Sequence, residues 1–209
     1  MRPGAARPRR RLRRAAGTIA AALAASSFGA PAGAADPEDR YAVKGVGRAA
    51  CAAFVEALET SPEAYRQFGG WIEGYLTGLN QERADTFDMA LFEDSDTISL
   101  YVARYCRQNP RQAFAAGARA VAEALSETRL ARAESHALVS EDPAIMLYES
   151  ALAAVERRLR DLGHLEAASP APEAELRAAL RAFQREVGLG ESGLPDQPTL
   201  VRLLRDRSP

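Results

Sequence analysis

Two cysteines are the residues of this 209-residue chain with the clearest chemistry, because Cys51 and Cys106 are the only ones. A cysteine pair can form a disulfide, bind a metal or supply a nucleophile. A zinc site needs further ligands, and the two histidines, His136 and His164, are remote from both cysteines in sequence. A nucleophilic cysteine needs a nearby base, and the sequence identifies none. We therefore predict a structural disulfide and no metal site.

The histidines and acids form no recognisable catalytic motif. His164 follows Gly163 at the predicted end of a helix, where a histidine interacts favourably with the helix dipole. His136 lies in a polar connector, and neither histidine is accompanied by a nucleophile motif. The 28 acids always offer pairs for glycoside hydrolysis, but no single pair stands out. We predict a protein that is not an enzyme and uses no cofactor.

The first 35 residues follow the three-part order of a secretory signal peptide. Seven arginines and no acids come first, an alanine-rich apolar stretch covers 15–30, and 32–34 is a small-residue cleavage site. The alternative is a disordered arginine-rich tail that binds nucleic acid. Because the arginine pair has only a partial flanking pattern, the general secretory (Sec) route is favoured over the twin-arginine route. We predict cleavage near Ala34 or Ala35 and a bacterial periplasmic location, where two cysteines would pair.

Charge and hydropathy exclude two further classes of protein. Beyond residue 35 the chain has 20 basic and 28 acidic residues, a net charge of −8, which argues against nucleic acid as the main partner. No apolar run reaches the roughly 18 residues that a membrane-spanning helix needs, so no integral span is expected after signal cleavage. A hydrophobic content of 47% with only 7% aromatics favours closely packed helices.

Apolar residues at helical spacing predict four helices, which with the disulfide would make one domain over 36–126. The second of them, from about Pro62 to Arg83, carries Gly70, Gly74 and Gly78. Glycine costs about 1 kcal/mol relative to alanine in a helix interior, so three of them need a reason. We interpret them as a flat ridge for close packing of another helix, with a ligand along the bare backbone as the alternative.

The rest of the chain is predicted to be a connector and a second helical domain. Residues 127–142 would be a linker or an extension of the fourth helix, which we expect to begin with Asn109 as its N-cap. Residues 143–209 would form three helices, with aliphatic positions sufficient for a small core. The predicted fold class is all-α, with a signal peptide, a disulfide-linked four-helix domain and a three-helix domain.

Three sequence segments of the last domain resemble the peptidoglycan-binding-like domain across residues 143–205. They are AVERRLRDLGHL at 154–165, AALRAFQREVGL at 178–189 and SGLPDQPTL at 192–200. The family usually has a turn with glycine and aspartate after its first helix, where this chain has EAASPAPEAE at 166–175. The resemblance implies a three-helix module that associates with peptidoglycan. Polar groups around its turns would contact the glycan, or else serve as helix caps and solvated side chains: Gln184, Arg185, Ser192, Asp196, Gln197 and Thr199.

The first domain is similar, more loosely, to small periplasmic helical proteins such as HdeA-type acid-stress chaperones and type VI secretion immunity proteins. The similarity rests on Cys51 with Phe54, GGWIEGYLTGLN at 69–80 and YCRQNP at 105–110. It implies the helical fold and the disulfide. Our first functional hypothesis is a non-catalytic exported envelope protein that associates with peptidoglycan. The alternatives are a periplasmic chaperone or protein-interaction protein that binds another envelope protein, and a cell-wall hydrolase with an unrecognised carboxylate pair.

Overall fold

The computed structural model of the chain describes residues 36, 38, 40–141, 144–166 and 168–206. The predicted signal peptide therefore lies outside the described residues. Among the described residues, Asp36, Glu38, Arg40 and Tyr41 belong to one unit, in which Arg40 forms an ion pair with Asp36 at 3.0 Å. The second unit begins at Ala42 and contains every helix and strand of the described chain.

Four helices build the first half of this second unit, as the sequence predicts. Ser61 accepts a hydrogen bond from the Ala64 amide at 3.3 Å and caps the second helix, which has proline at its first position. Asp94 caps the third helix by accepting from the Thr97 amide at 2.8 Å. The helices are α1 (Cys51–Thr60), α2 (Pro62–Glu82), α3 (Ser95–Gln108) and α4 (Phe114–Ser126), after a short 3-10 helix (Gly45–Arg48).

The fourth helix begins later than predicted. Asn109 ends α3, with its side-chain amide donating to the Tyr105 carbonyl at 3.0 Å, and α4 starts at Phe114. The intervening backbone pairs with the start of α1: the Cys51 amide donates to the Gln112 carbonyl and the Phe114 amide to the Ala49 carbonyl, both at 2.8 Å. These non-local bonds satisfy backbone groups that a longer helix would otherwise have satisfied locally.

Aromatic rings from α1, α2 and α4 meet at the centre of the first core. Phe54 and Phe114 are fully buried, with ring centroids 4.8 Å apart, and Phe68 lies 4.7 Å from Phe114. The tilted and edge-on ring arrangements are those that aromatic pairs prefer. Fully buried cysteines complete this cluster.

The predicted disulfide is present. Cys51 and Cys106 are bonded, with their Cα atoms 4.8 Å apart, and the bond links the first turn of α1 to the end of α3. The described chain contains no free cysteine. The bond joins two helices of one core, which is the arrangement expected of a structural disulfide.

Non-reducing peptide mapping tests the bond directly. Tryptic cleavage should release residues 49–66 and 105–107 as one linked species that separates into two peptides after reduction. The control is the Cys106→Ser variant, in which peptide 49–66 should appear alone without reduction. Alkylation of both thiols in the native, oxidised protein would contradict the assignment.

A short β-hairpin follows the four helices and corrects two predictions. Strands β1 (His136–Glu141) and β2 (Ala144–Tyr148) pair antiparallel, so 127–142 is not simply a linker or helix extension, and the helix expected from residue 143 starts at Glu149. Leu147 is buried while its neighbour Met146 is 60% exposed, an alternation that suits a strand with one face on the core. The expectation of an all-α chain is therefore wrong in this segment: the described fold is mainly helical, with one two-stranded sheet.

Three helices form the last part of the fold, as predicted. They are α5 (Glu149–Asp161), α6 (Glu173–Glu186) and α7 (Gln197–Leu204), and they surround a second hydrophobic cluster. Phe92, from the segment before α3, also belongs to this cluster. Seven side chains at helical spacing are buried in it: Val155, Leu159, Leu176, Leu180, Phe183, Leu200 and Leu203. Leu152 and Leu204, at the same spacing, are half-buried. Within the described residues, no helix is long and apolar enough to cross a membrane.

Candidate functional site

Gln184 organises the turn between α6 and α7, where four of the predicted ligand residues meet. The side chain is fully buried. Its Nε2 lies within hydrogen-bond distance of Ser192 Oγ (2.9 Å), the Leu194 carbonyl (3.0 Å) and Thr199 Oγ1 (2.9 Å). Its Oε1 accepts from the Gly193 amide at 2.8 Å, and Gly193 has a φ of 70°, which favours glycine. Gln184 thus closes the turn from inside.

Ser192, Asp196 and Thr199 complete this turn by bonding to one another. Asp196 Oδ1 accepts from the Thr199 amide at 3.0 Å and caps α7. Ser192 Oγ donates to Asp196 Oδ2 at 3.1 Å and accepts from the Leu194 amide at the same distance. The sequence therefore identified residues that do lie together, and the bonds between them support the capping interpretation.

The other two predicted ligand residues lie apart from that cluster. Arg185 pairs with Glu191 at 2.6 Å on the surface, and this bond raises the pKa of Arg185 and lowers the pKa of Glu191. Gln197 faces the first half of the fold. Its Nε2 donates to the Phe92 carbonyl at 2.6 Å, and its Oε1 accepts from Thr97 Oγ1 at 3.0 Å. Gln197 therefore joins α7 to the start of α3.

Within the described residues, no other helix packs against the glycines of α2, in contrast to the expected close-packing ridge. A Cβ built on Gly70, Gly74 or Gly78 would meet no other part of the described chain within 4 Å, apart from the neighbouring backbone of α2 itself. The buried side chains of α2, Phe68 and Ile72, belong to the first core. The three glycines therefore leave an open strip of backbone on α2.

A buried ion pair that the sequence did not reveal lies where α7 meets the segment before α3. The Glu93 side chain is fully buried, and its Oε1 accepts from Arg205 Nε at 2.6 Å. The guanidinium carbon of Arg205 lies 5.3 Å from the centre of the Phe92 ring, within cation–π range. The pair joins residues 112 positions apart, so no local pattern could have indicated it.

Burial shifts the pKa of two tyrosines. Burial raises the pKa of Tyr101 to about 12, and the negative charge of Glu93 adds to the rise. Burial also raises the pKa of Tyr148 to about 12, together with the hydrogen bond of 3.0 Å that its hydroxyl donates to Asp88. A phenol held neutral in this way does not act as a base near neutral pH.

Stability should fall at high pH because of these two phenols. Their folded-state pKa of about 12 exceeds the ordinary value of about 10. The unfolded chain therefore loses its protons first, so the stabilisation is complete below about pH 10 and disappears as the pH rises towards 12. We expect the Tm to fall across that window, and Tyr101→Phe to reduce the fall. Equal pH dependence in the variant and the parent would contradict the assignment to Tyr101.

A groove of about 390 Å³ opens between α5, α7 and the segment before α3. We call it the arginine groove. Its volume lies within the range of small-ligand sites. Arg157, Arg158 and Arg205 line it, with Asp161 as the one acid among the lining residues. The remaining lining is apolar except for Thr128, and consists of Leu91, Phe92, Ala154, Leu203 and Leu204.

The described chain has few other groups whose arrangement suggests a metal site or catalysis. No group of three or more histidine, cysteine, aspartate or glutamate side chains is arranged there to hold a metal ion. His164 Nε2 lies 3.1 Å from a Glu186 carboxylate oxygen, and the ring of His136 lies 4.3 Å from the ring of Tyr148. Comparison with known proteins adds no assignment: no family model, curated protein or solved structure matches the chain.

Proposed function

We propose that this chain is a non-catalytic, exported cell-envelope protein that associates with peptidoglycan through its last three helices. The observation that carries the proposal is the arrangement of α5, α6 and α7 around one core, with the α6–α7 turn closed by Gln184. Two residues of the resembling segment at 178–189 hold this arrangement together: Phe183 is buried in the core, and Gln184 forms hydrogen bonds within the turn.

The contact surface in this proposal differs from the one that the sequence suggests. The polar atoms of Gln184, Ser192, Asp196 and Thr199 already form hydrogen bonds with one another around the turn. The arginine groove, in contrast, combines cationic and apolar groups on α5 and α7. We therefore assign the association with peptidoglycan to the groove side of the three helices.

A second function is favoured by the bonds between the two halves of the fold. Gln197 of α7 binds Phe92 and Thr97. Arg205, directly after α7, binds Glu93. The last three helices therefore also support the segment before α3. This contact suits a protein-interaction protein or chaperone in which the last three helices are a scaffold. In that case the partner would be another envelope protein.

Co-sedimentation with purified sacculi separates these functions. The full chain should pellet with sacculi and stay in solution without them. At acidic pH it should not protect an unfolded client protein from aggregation. A chain that stays in the supernatant with sacculi but suppresses client aggregation would support the scaffold alternative. Release of soluble wall fragments during the incubation would contradict the non-catalytic part of the proposal.

A further inference from the structure

We infer that the arginine groove binds the carboxyl end of a wall peptide, with the carboxylate at Arg157 and Arg158 and a small apolar side chain on the groove floor. This inference rests on the proposed function and specifies its ligand. None of the residues involved belongs to the predicted glycan-contact set around the α6–α7 turn.

Charge supports an anionic ligand. Arg205 is already paired with the buried Glu93. Arg157 is exposed and Arg158 half-buried on α5, and neither has an ion-pair partner among the described residues, so both guanidinium groups are available to a ligand. The only acid of the lining, Asp161, leaves an excess of positive charge on a chain whose net charge beyond residue 35 is −8. A local cationic site on an acidic protein attracts anions selectively.

The shape of the donors favours a carboxylate. Arginine presents a planar set of N–H donors that matches a carboxylate with two parallel hydrogen bonds. Arg157 and Arg158 both line the groove, so the guanidinium of either can meet the two oxygens of one chain end. Binding of this kind is worth more when part of the ligand is removed from water, and the apolar lining beside the arginines provides that environment.

The apolar floor distinguishes a peptide end from a free inorganic anion. Leu203 and Phe92 are nearly buried, and Leu91, Ala154 and Leu204 are half-buried beside them. A methyl side chain next to the carboxylate would cover this surface, whereas phosphate would leave it in water. Wall peptides that end in D-alanine have this chemistry: a terminal carboxylate beside a methyl group.

Calorimetric titration of the full chain with N-acetyl-D-alanyl-D-alanine tests the inference. We expect saturable binding that weakens at least about tenfold when the carboxylate is replaced by an amide, because a hydrogen-bonded charge is lost. Arg157→Ala and Arg158→Ala should each weaken binding by about tenfold. Arg66→Ala, which removes an exposed arginine from α2, should leave binding unchanged and is the matched control.

The outcomes separate this inference from the proposed function. No saturable binding, equal binding of the amide, or full affinity in both groove variants would overturn the assignment of the groove. If the chain binds sacculi but does not bind the dipeptide, the proposed function stands and the groove is not the binding site. Groove-dependent binding of the dipeptide by a chain that does not pellet with sacculi would keep the groove as a carboxylate site and reject the proposed function.

Discussion

Replacing Gln184 by leucine is expected to lower the free energy of unfolding by about 3–5 kcal/mol, since each buried polar group left without a partner costs about 1–3 kcal/mol. The side chain is fully buried, and leucine would leave the Gly193 amide, the Leu194 carbonyl and Thr199 Oγ1 without the partner that Gln184 provides. Urea denaturation followed by circular dichroism measures the change.

The control for this prediction is Arg185→Ala at the next position. Arg185 lies on the surface, so its loss should hardly change the urea midpoint. If Gln184→Leu instead kept the parent midpoint but no longer pelleted with sacculi, the α6–α7 turn would be a ligand site. The prediction that Gln184 has a structural role would then be wrong.

The second large effect is expected at the buried ion pair. Arg205→Met should lower the free energy of unfolding by about 3–5 kcal/mol, because it leaves the Glu93 carboxylate buried without a cation. Methionine keeps much of the apolar stem that packs beside Phe92, so the lost charge dominates the change. Thermal or urea unfolding of the single variant gives the size of the effect.

A double variant distinguishes loss of the pair from loss of packing. Glu93→Gln combined with Arg205→Met removes the unpaired charge and should recover a large part of the stability lost in the single variant. Arg202→Met is the matched control on the same helix, where Arg202 makes only an exposed contact with Asp206 at 3.0 Å. Additive losses in the double variant would show that Glu93 and Arg205 are not coupled.

Periodicity predicted the helices well where each helix has one buried stripe. The buried residues of α6 and α7 lie at helical spacing, and Ser61 and Asp196 have residue types that favour the N-cap positions they occupy. The cysteine pair could also be predicted, because the chain offers no alternative partner. Local spacing is sufficient for features of this kind.

Features that depend on distant contacts could not be predicted. The hairpin strand Ala144–Tyr148 has an apolar run that fits either a strand or the start of a helix, and pairing with β1 decides between them. Asn109 has the residue type of an N-cap, but backbone bonds to the start of α1 delay α4. The α2 glycines suggested close packing, yet only the tertiary structure shows that no helix of the described chain covers them.

The two candidate sites also differ in how far the sequence could predict them. The cluster around Gln184 is local enough to be expected from sequence, although its bonds are internal to the fold. The arginine groove combines α5, α7 and residues 91 and 92, which are separated by long stretches of chain. Arginines on a helix usually indicate only a solvated face, so the sequence alone gave no reason to select Arg157 and Arg158.

The place of Phe92 has a consequence for the order in which the chain can complete its fold. Its ring belongs to the second core, and its carbonyl accepts from Gln197, which is 105 residues later. During synthesis from the N-terminus, the first core can therefore form long before α7 is available. Until α7 docks, Phe92 and Glu93 lack the partners that cover them, so in a nascent or C-terminally truncated chain this segment is open to chaperones, proteases and aggregation.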